Sequence, residues 1–122
     1  MVEIEFSVME GTPGEANHLL PLLAAFEHQY NIHVNLTGIS WYSGWEDVAQ
    51  FGMFGNGPDV SCIGTTWIGS LAAMQALRPF TSQQIRSLGG ENAFFKSIWQ
   101  SSFLPNNQTV SAIAICEYIN CW

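Results

Sequence analysis

Two alternating runs of hydrophobic and polar residues flank a helical pattern in the first forty residues. Apolar side chains take every second position from Val2 to Val8 and again from Ile32 to Leu36. A period of two is typical of a strand with one apolar face. Between the runs, the apolar residues from Leu19 to Tyr30 recur at helical spacing, which predicts an amphipathic helix. Pro21 lacks the donor that a helix needs, so it should lie in the first turn or produce a kink.

The same rhythm continues along the chain. Residues 43–54 suit a second helix ended by Gly55-Asn56-Gly57-Pro58, and Val60 to Ile63 suit a short apolar strand. Because a helix connects the first two strands, they should be parallel with a right-handed crossover. We therefore predict an α/β fold, with an open, mainly parallel sheet of three to four strands flanked by helices.

The second half is predicted to be mostly helical. A third helix should run from Trp67 to Leu77, with the hydroxyl of Thr65 or Thr66 as its N-cap. Shorter helices are predicted over residues 81–88 and 91–101. A last apolar segment follows over residues 110–115.

The hydrophobic content and the net charge of the chain argue against several classes of function. Hydrophobic residues make up 48% of the 122 residues, charged residues only 11%, and the net charge is −7. An acidic chain with three scattered cations is a poor partner for nucleic acid. No apolar run approaches the roughly 20 residues that cross a bilayer, so membrane insertion is not predicted. The excess apolar surface instead favours a face for a ligand, another domain or a second copy of the chain.

The cysteines and histidines do not form a recognisable catalytic or metal motif. Cys62, Cys116 and Cys121 lack the spacing of a zinc or dithiol site, and Cys62 is interpreted as a small core residue. His18, His28 and His33 are scattered without acidic residues at ligand spacing, so no metal and no cofactor is predicted. The N-terminus shows neither the basic nor the long apolar region of a secretory signal peptide.

Several elements together resemble a known family. Gly57-Pro58-Asp59-Val60 after the second helix, and Leu77-Arg78-Pro79-Phe80 after the third, follow the order and spacing of extracellular solute-binding proteins of family 1, which serve ABC sugar importers. The resemblance covers roughly residues 3 to 113. It implies a partial N-terminal lobe of the type II periplasmic-binding-protein fold over residues 1–113, and a location in the periplasm or outside the cell for the complete protein.

The resemblance also implies a site and partners. The site would bind a saccharide or a similar polar solute, and ABC permease subunits would be the partners of the complete protein. Ligands of open parallel sheets bind beyond the carboxyl ends of the strands. Hydroxyl groups, carboxylates and flat aromatic rings at these ends suit sugars. The implied ligand-binding residues are Glu10, Gly11, Trp41, Gly64, Thr65, Thr66 and Trp67.

Alternatives stay open at this point. Trp41 and Trp67 could be core aromatics, Glu10 a solvated turn residue, and Asp59 a partner of nearby backbone. Residues 114–122 lack the proline-containing segment of the family, and we interpret them as an atypical tail produced by truncation or a shifted reading frame. The chain could then be a non-functional or self-associating fragment. A hydrolase that uses the Cys62 thiol with a histidine is the enzymatic alternative, and no enzyme activity is predicted.

Overall fold

The computed structural model describes residues 1–101. The chain forms two compact units, Met1–Ile63 and Gly64–Trp122. The predicted apolar segment 110–115 and the atypical tail 114–122 lie outside the described residues. Among residues 1–101, no helix is both long and apolar enough to cross a lipid bilayer.

The first unit is built on a parallel sheet. Its strands are β1 (Val2–Glu10), β2 (Ile32–Ser40) and β3 (Val60–Ser61), in the order β2-β1-β3. Val2 pairs with Ile32, and the register runs without interruption to the pair of Glu10 and Ser40. The short β3 pairs in parallel with β1 on the other side. The predicted parallel arrangement of the sheet is therefore confirmed.

Helix α1 (Leu20–Tyr30) forms the crossover between β1 and β2. A 3-10 turn, Glu15–Leu19, precedes it, and Pro21 lies in its first turn, where the missing N–H has no partner to lose. The helix ends at Asn31, whose left-handed backbone (φ 56°) lets the chain turn into β2. Two residues of α1 and four of the sheet line an apolar hollow on one face of this unit. They are Ile4, Phe6, Leu23, Phe26, Val34 and Val60.

Helix α2 (Gly44–Phe54) ends as the sequence predicts. Gly55 adopts the left-handed conformation (φ 65°) that closes the helix, and a Cβ at Gly57 would overlap the Phe51 side chain. The Asp59 carboxylate does not bond to nearby backbone, as considered above, but to a distant strand. Its Oδ2 accepts a hydrogen bond from the backbone N–H of Glu5, 2.9 Å away on β1. The carboxylate therefore connects the approach to β3 with β1, 54 residues distant in sequence.

The described part of the second unit is helical. It contains a 3-10 turn at Thr65–Trp67 followed by α3 (Ile68–Ala73), then α4 (Ser82–Ser87), a 3-10 turn at Glu91–Ala93 and α5 (Lys96–Ser101). Ile68, Leu71 and Trp99 are buried, and the Trp99 and Phe94 rings stack 5.5 Å apart. Trp99 is thus a packing residue, whereas Trp45 of the first unit is 39% exposed.

Two helix predictions in this unit are wrong in detail. No side chain caps the 3-10 turn or α3, so neither Thr65 nor Thr66 acts as the N-cap. Helix α3 stops at Ala73, short of Leu77, because Gln75 takes a left-handed conformation (φ 58°) that ends helical hydrogen bonding. The hydroxyl cap appears instead at α4, where Thr81 and Gln84 form a reciprocal capping box.

Candidate functional site: the carboxyl edge of the sheet

The carboxyl ends of β1 and β2 meet at one edge of the first unit. Glu10 pairs with Ser40 at the end of the register, and the Trp41 N–H donates to the Glu10 carbonyl oxygen at 3.2 Å. Gly11 follows Glu10 directly. Three predicted site residues, Glu10, Gly11 and Trp41, are therefore brought together at this edge, as expected for parallel strands of matched length.

The Glu10 carboxylate is anchored at this edge. It is half-buried, and its Oε2 accepts a hydrogen bond at 3.0 Å from the N–H of Ala16, a buried residue of the 3-10 turn. The carboxyl group lies over Gly38 of β2, where a Cβ would overlap it. Glycine at position 38 therefore provides the space in which Glu10 joins the 3-10 turn to the end of the sheet.

A second carboxylate, from Glu15, organises the loop that follows β1. Glu15 Oε2 accepts a hydrogen bond from the Gly11 N–H at 2.6 Å and a longer one from the Thr12 N–H at 3.4 Å. Gly14, in a left-handed conformation (φ 84°), lets the chain fold back so that Glu15 reaches these donors. Glu15 is not among the predicted site residues. An acidic residue directly after Gly14 in the strand-to-helix loop was its only local signal.

The loop after β2 presents aromatic side chains. Trp41 is 50% exposed, which rules out the fully buried core position considered above. Tyr42, which is not among the predicted site residues, is 98% exposed. The backbone here is held in place, because the Tyr42 N–H donates to Ser40 Oγ and Ser43 Oγ donates to Asp47 Oδ2.

The end of β3 is attached to β1 by backbone and hydroxyl groups. The Cys62 N–H donates to the Ser7 carbonyl oxygen at 2.8 Å, and the Ser7 and Ser61 hydroxyl oxygens are 2.6 Å apart. Ser7 is 2% exposed, so the Ser61 hydroxyl provides a hydrogen-bonding partner for a buried hydroxyl group. Cys62 itself is half-buried rather than a core residue.

The other predicted site residues open the second unit. Thr65 and Thr66 are exposed, while Gly64 and Trp67 are half-buried. The Trp67 N–H donates to the Gly64 carbonyl oxygen at 3.1 Å, which closes the 3-10 turn. The two threonine residues and Trp67 therefore belong to the same 3-10 turn.

Charge is distributed unevenly between the two units. Residues 1–63 contain eight Asp and Glu side chains and no Lys or Arg, because Arg78, Arg86 and Lys96 all come later. With neutral histidines the first unit carries −8, and the rest of the chain, with three cations and two acids, carries +1. No group of three or more potential metal ligands occurs within residues 1–101.

Two of the three histidines in the first unit, His18 and His33, have hydrogen-bonding partners. His18 Nδ1 contacts the Glu15 carbonyl oxygen, and His33 Nδ1 pairs with Glu27 Oε1 at 2.5 Å. Glu27 Oε1 also accepts a bond from the Val34 N–H at 3.0 Å, and this bond lowers the pKa of Glu27 most. Burial opposes the shift and His33 reinforces it. Both of these histidines therefore contact a glutamate residue.

Comparison with known proteins places this geometry in context. No protein-family model and no curated protein sequence matches the chain. Among solved structures, the sugar-binding protein MalE of Xanthomonas citri is similar at a TM-score of 0.75 and 26% identity, over 90% of this chain and 27% of that protein. The chain therefore spans about a quarter of that structure's length.

Two further structures share the fold. One is the maltose-binding periplasmic protein MalE of Listeria monocytogenes, solved with maltose (TM-score 0.65, 18% identity, 88% of this chain and 25% of that protein). The other is an extracellular solute-binding protein of family 1 from Alicyclobacillus acidocaldarius (TM-score 0.63, 20% identity, 86% and 26%). All three are named as binding proteins. The predicted resemblance is thereby confirmed, and the chain has the fold of a partial lobe of the extracellular solute-binding proteins of family 1.

Proposed function

We propose that this chain contributes a ligand-binding edge to a carbohydrate receptor that serves an ABC importer. The observation that carries the proposal is the meeting of Glu10, Gly11 and Trp41 at the carboxyl edge of the sheet, in a fold shared with sugar-binding proteins. In open parallel sheets this edge is where ligands bind. Residues 1–113 are the proposed partial lobe, and residues 114–122 the proposed atypical tail.

The exposed groups at this edge suit a saccharide. Half of the Trp41 surface is open to solvent, and an indole offers an apolar plane to the C–H face of a sugar ring. Glu10 Oε2 is engaged with Ala16, so the contribution of Glu10 to a ligand would come from its other oxygen. In the second unit, Gly64, Thr65, Thr66 and Trp67 are proposed to contact the ligand through backbone, hydroxyl and indole groups.

The proposed cellular setting follows from the relatives. The Listeria protein is named as periplasmic and the Alicyclobacillus protein as extracellular. We infer that the complete protein acts in the periplasm or outside the cell and passes its saccharide to ABC permease subunits. Its activity would be binding and release of solute rather than chemical conversion.

The test is a titration of the full 122-residue chain with maltose and maltotriose. The titration is monitored by NMR, because NMR detects weak binding. Resonances of the Trp41 indole and the Gly11 amide should shift. Trp41→Ala should remove most of the binding, whereas Trp41→Phe should retain part of it through the smaller ring. A chimera in which this chain replaces its counterpart in the Xanthomonas citri protein repeats the test in a two-lobed setting. Absence of binding in both contexts would refute the receptor assignment.

Self-association without ligand binding is a second candidate. The apolar hollow of the first unit favours it, because Val60, which lines the hollow, is 53% exposed on β3, an outer strand of the sheet among residues 1–101. Sedimentation velocity over a range of concentrations separates the two candidates. Association that disappears in Val60→Lys, with no response to saccharides, would support this alternative.

A further inference from the structure

We propose that Tyr42 is a further ligand-contacting residue of this edge, a role that rests on the proposed saccharide-binding function. Tyr42 is 98% exposed and follows Trp41 directly. Because the Trp41 N–H is bonded to the Glu10 carbonyl oxygen, Tyr42 is one residue away from the point where β1 and β2 end together. Its ring is therefore available to a molecule bound there.

The exposure of the ring is not explained by a loose backbone. The Tyr42 N–H donates to Ser40 Oγ at 3.2 Å, and hydrogen bonds hold the residues on both sides, Trp41 and Ser43. The main chain is thus fixed while almost the whole side chain is in water. A tyrosine ring usually gains stability by packing its apolar faces, and this one makes no such gain within the first unit.

The contrast with Tyr30 shows what an ordinary tyrosine does in the same unit. Tyr30 packs against Phe26 with ring centroids 4.8 Å apart, and its hydroxyl accepts a hydrogen bond from Gln29 Nε2. Tyr30 ends α1 just before β2 begins, so it lies at the opposite edge of the sheet. It therefore provides a control of the same residue type, away from the proposed site.

The chemistry of Tyr42 complements that of Trp41. Its ring can cover the C–H face of a pyranose, and its phenol can both donate to and accept from a sugar hydroxyl. It does so without adding a charge. The loop after β2 then offers two consecutive, exposed aromatic residues at the end of the sheet where Glu10 also lies, a combination that fits a neutral saccharide.

The experiment compares variants of the full chain by NMR titration with maltose. Tyr42→Ala should raise the Kd about fivefold, the effect of losing one aromatic stacking contact. Tyr42→Phe should retain most of the affinity, and Tyr30→Ala should leave the Kd unchanged. In the unmodified chain, the ring resonances of Tyr42 should shift as maltose is added.

The outcomes separate this inference from the function on which it rests. If the unmodified chain binds maltose and Tyr42→Ala binds equally well, Tyr42 has no part in binding and the inference is overturned. If Tyr42→Ala does not fold, the ring resonances of the unmodified chain decide, because a ring that touches the ligand must shift. If the unmodified chain binds no saccharide in any context, the proposed function fails first and this role of Tyr42 with it.

Discussion

Gly38→Ala is expected to destabilise the first unit by displacing the Glu10 carboxylate. A methyl group at position 38 would overlap the carboxyl carbon and both oxygens of Glu10. The backbone of Gly38 has no positive φ, so alanine meets no conformational strain there. The effect of the substitution therefore isolates the contact between the two residues.

The magnitude follows from the hydrogen bond that the displaced carboxylate loses. Glu10 Oε2 accepts from the N–H of Ala16, a residue that is 5% exposed. A bond to a charged partner contributes about 1.5–3 kcal/mol. Replacing glycine by alanine in a strand returns about 0.5–1 kcal/mol. The net loss in the free energy of unfolding should be about 1–2 kcal/mol.

A double-mutant cycle with Glu10→Ala tests this reasoning directly. Urea unfolding, followed by far-UV circular dichroism, gives the free energy of unfolding for each variant. Once Glu10 is alanine, the bond is already lost and the space above Gly38 is empty. Gly38→Ala should then stabilise by about 0.5–1 kcal/mol, which makes the coupling energy about 2 kcal/mol.

Gly69→Ala is the matched control. Gly69 lies within α3, and a Cβ there would meet no atom within 4 Å, so the substitution should stabilise by up to about 1 kcal/mol. Additive effects of Gly38→Ala and Glu10→Ala would refute the argument, because they would show that the carboxylate does not occupy the space over Gly38.

Three further outcomes are expected. The pKa of Glu27 is lowered in the folded state by its bond to the Val34 N–H, so its stabilising effect should be complete above the ordinary pKa of glutamate and disappear as the pH falls through the lowered value. The difference in unfolding free energy between the unmodified chain and Glu27→Gln should therefore shrink on acidification. Thr81→Ala removes half of a capping box and should destabilise α4 by about 1 kcal/mol, seen as faster hydrogen exchange in that helix. In titrations, a uronic acid or a sugar phosphate should bind at least about tenfold more weakly than its neutral counterpart, because the first unit carries eight carboxylates and no Lys or Arg; equal affinities would contradict this.

Much of the fold could be predicted because its signals are local. The period of two in β1 and β2 and the helical period between them define strand, helix and strand, and a crossover of that length makes the strands parallel. The left-handed glycine at position 55 is also a local signal. Such features depend on residues adjacent in sequence, so a single sequence contains them.

Details that depend on pairing between distant residues could not be predicted. The position of the Glu10 carboxylate over Gly38 depends on the register of β1 and β2, and the bond from the Glu5 N–H to Asp59 joins residues 54 apart. The early end of α3 follows from the left-handed backbone of Gln75, a conformation for which glutamine has no special preference. In each case the deciding contact or conformation has no signature in the adjacent residues.

The same limit explains how the candidate site was only partly identified. Glu10 is a predicted ligand-binding residue because of its carboxylate. In the structure, the Oε2 atoms of Glu10 and Glu15 accept hydrogen bonds from the backbone N–H groups of Ala16 and Gly11. Both carboxylates thereby stabilise the loop after β1. They also engage the N–H groups of Ala16 and Gly11, which could otherwise bind an anionic ligand. The side chains at this edge that remain most accessible to a ligand are then the aromatic rings of Trp41 and Tyr42. An edge with aromatic rings, engaged backbone donors and no Lys or Arg should favour uncharged ligands over anionic ones, and this supports a neutral saccharide as the proposed ligand.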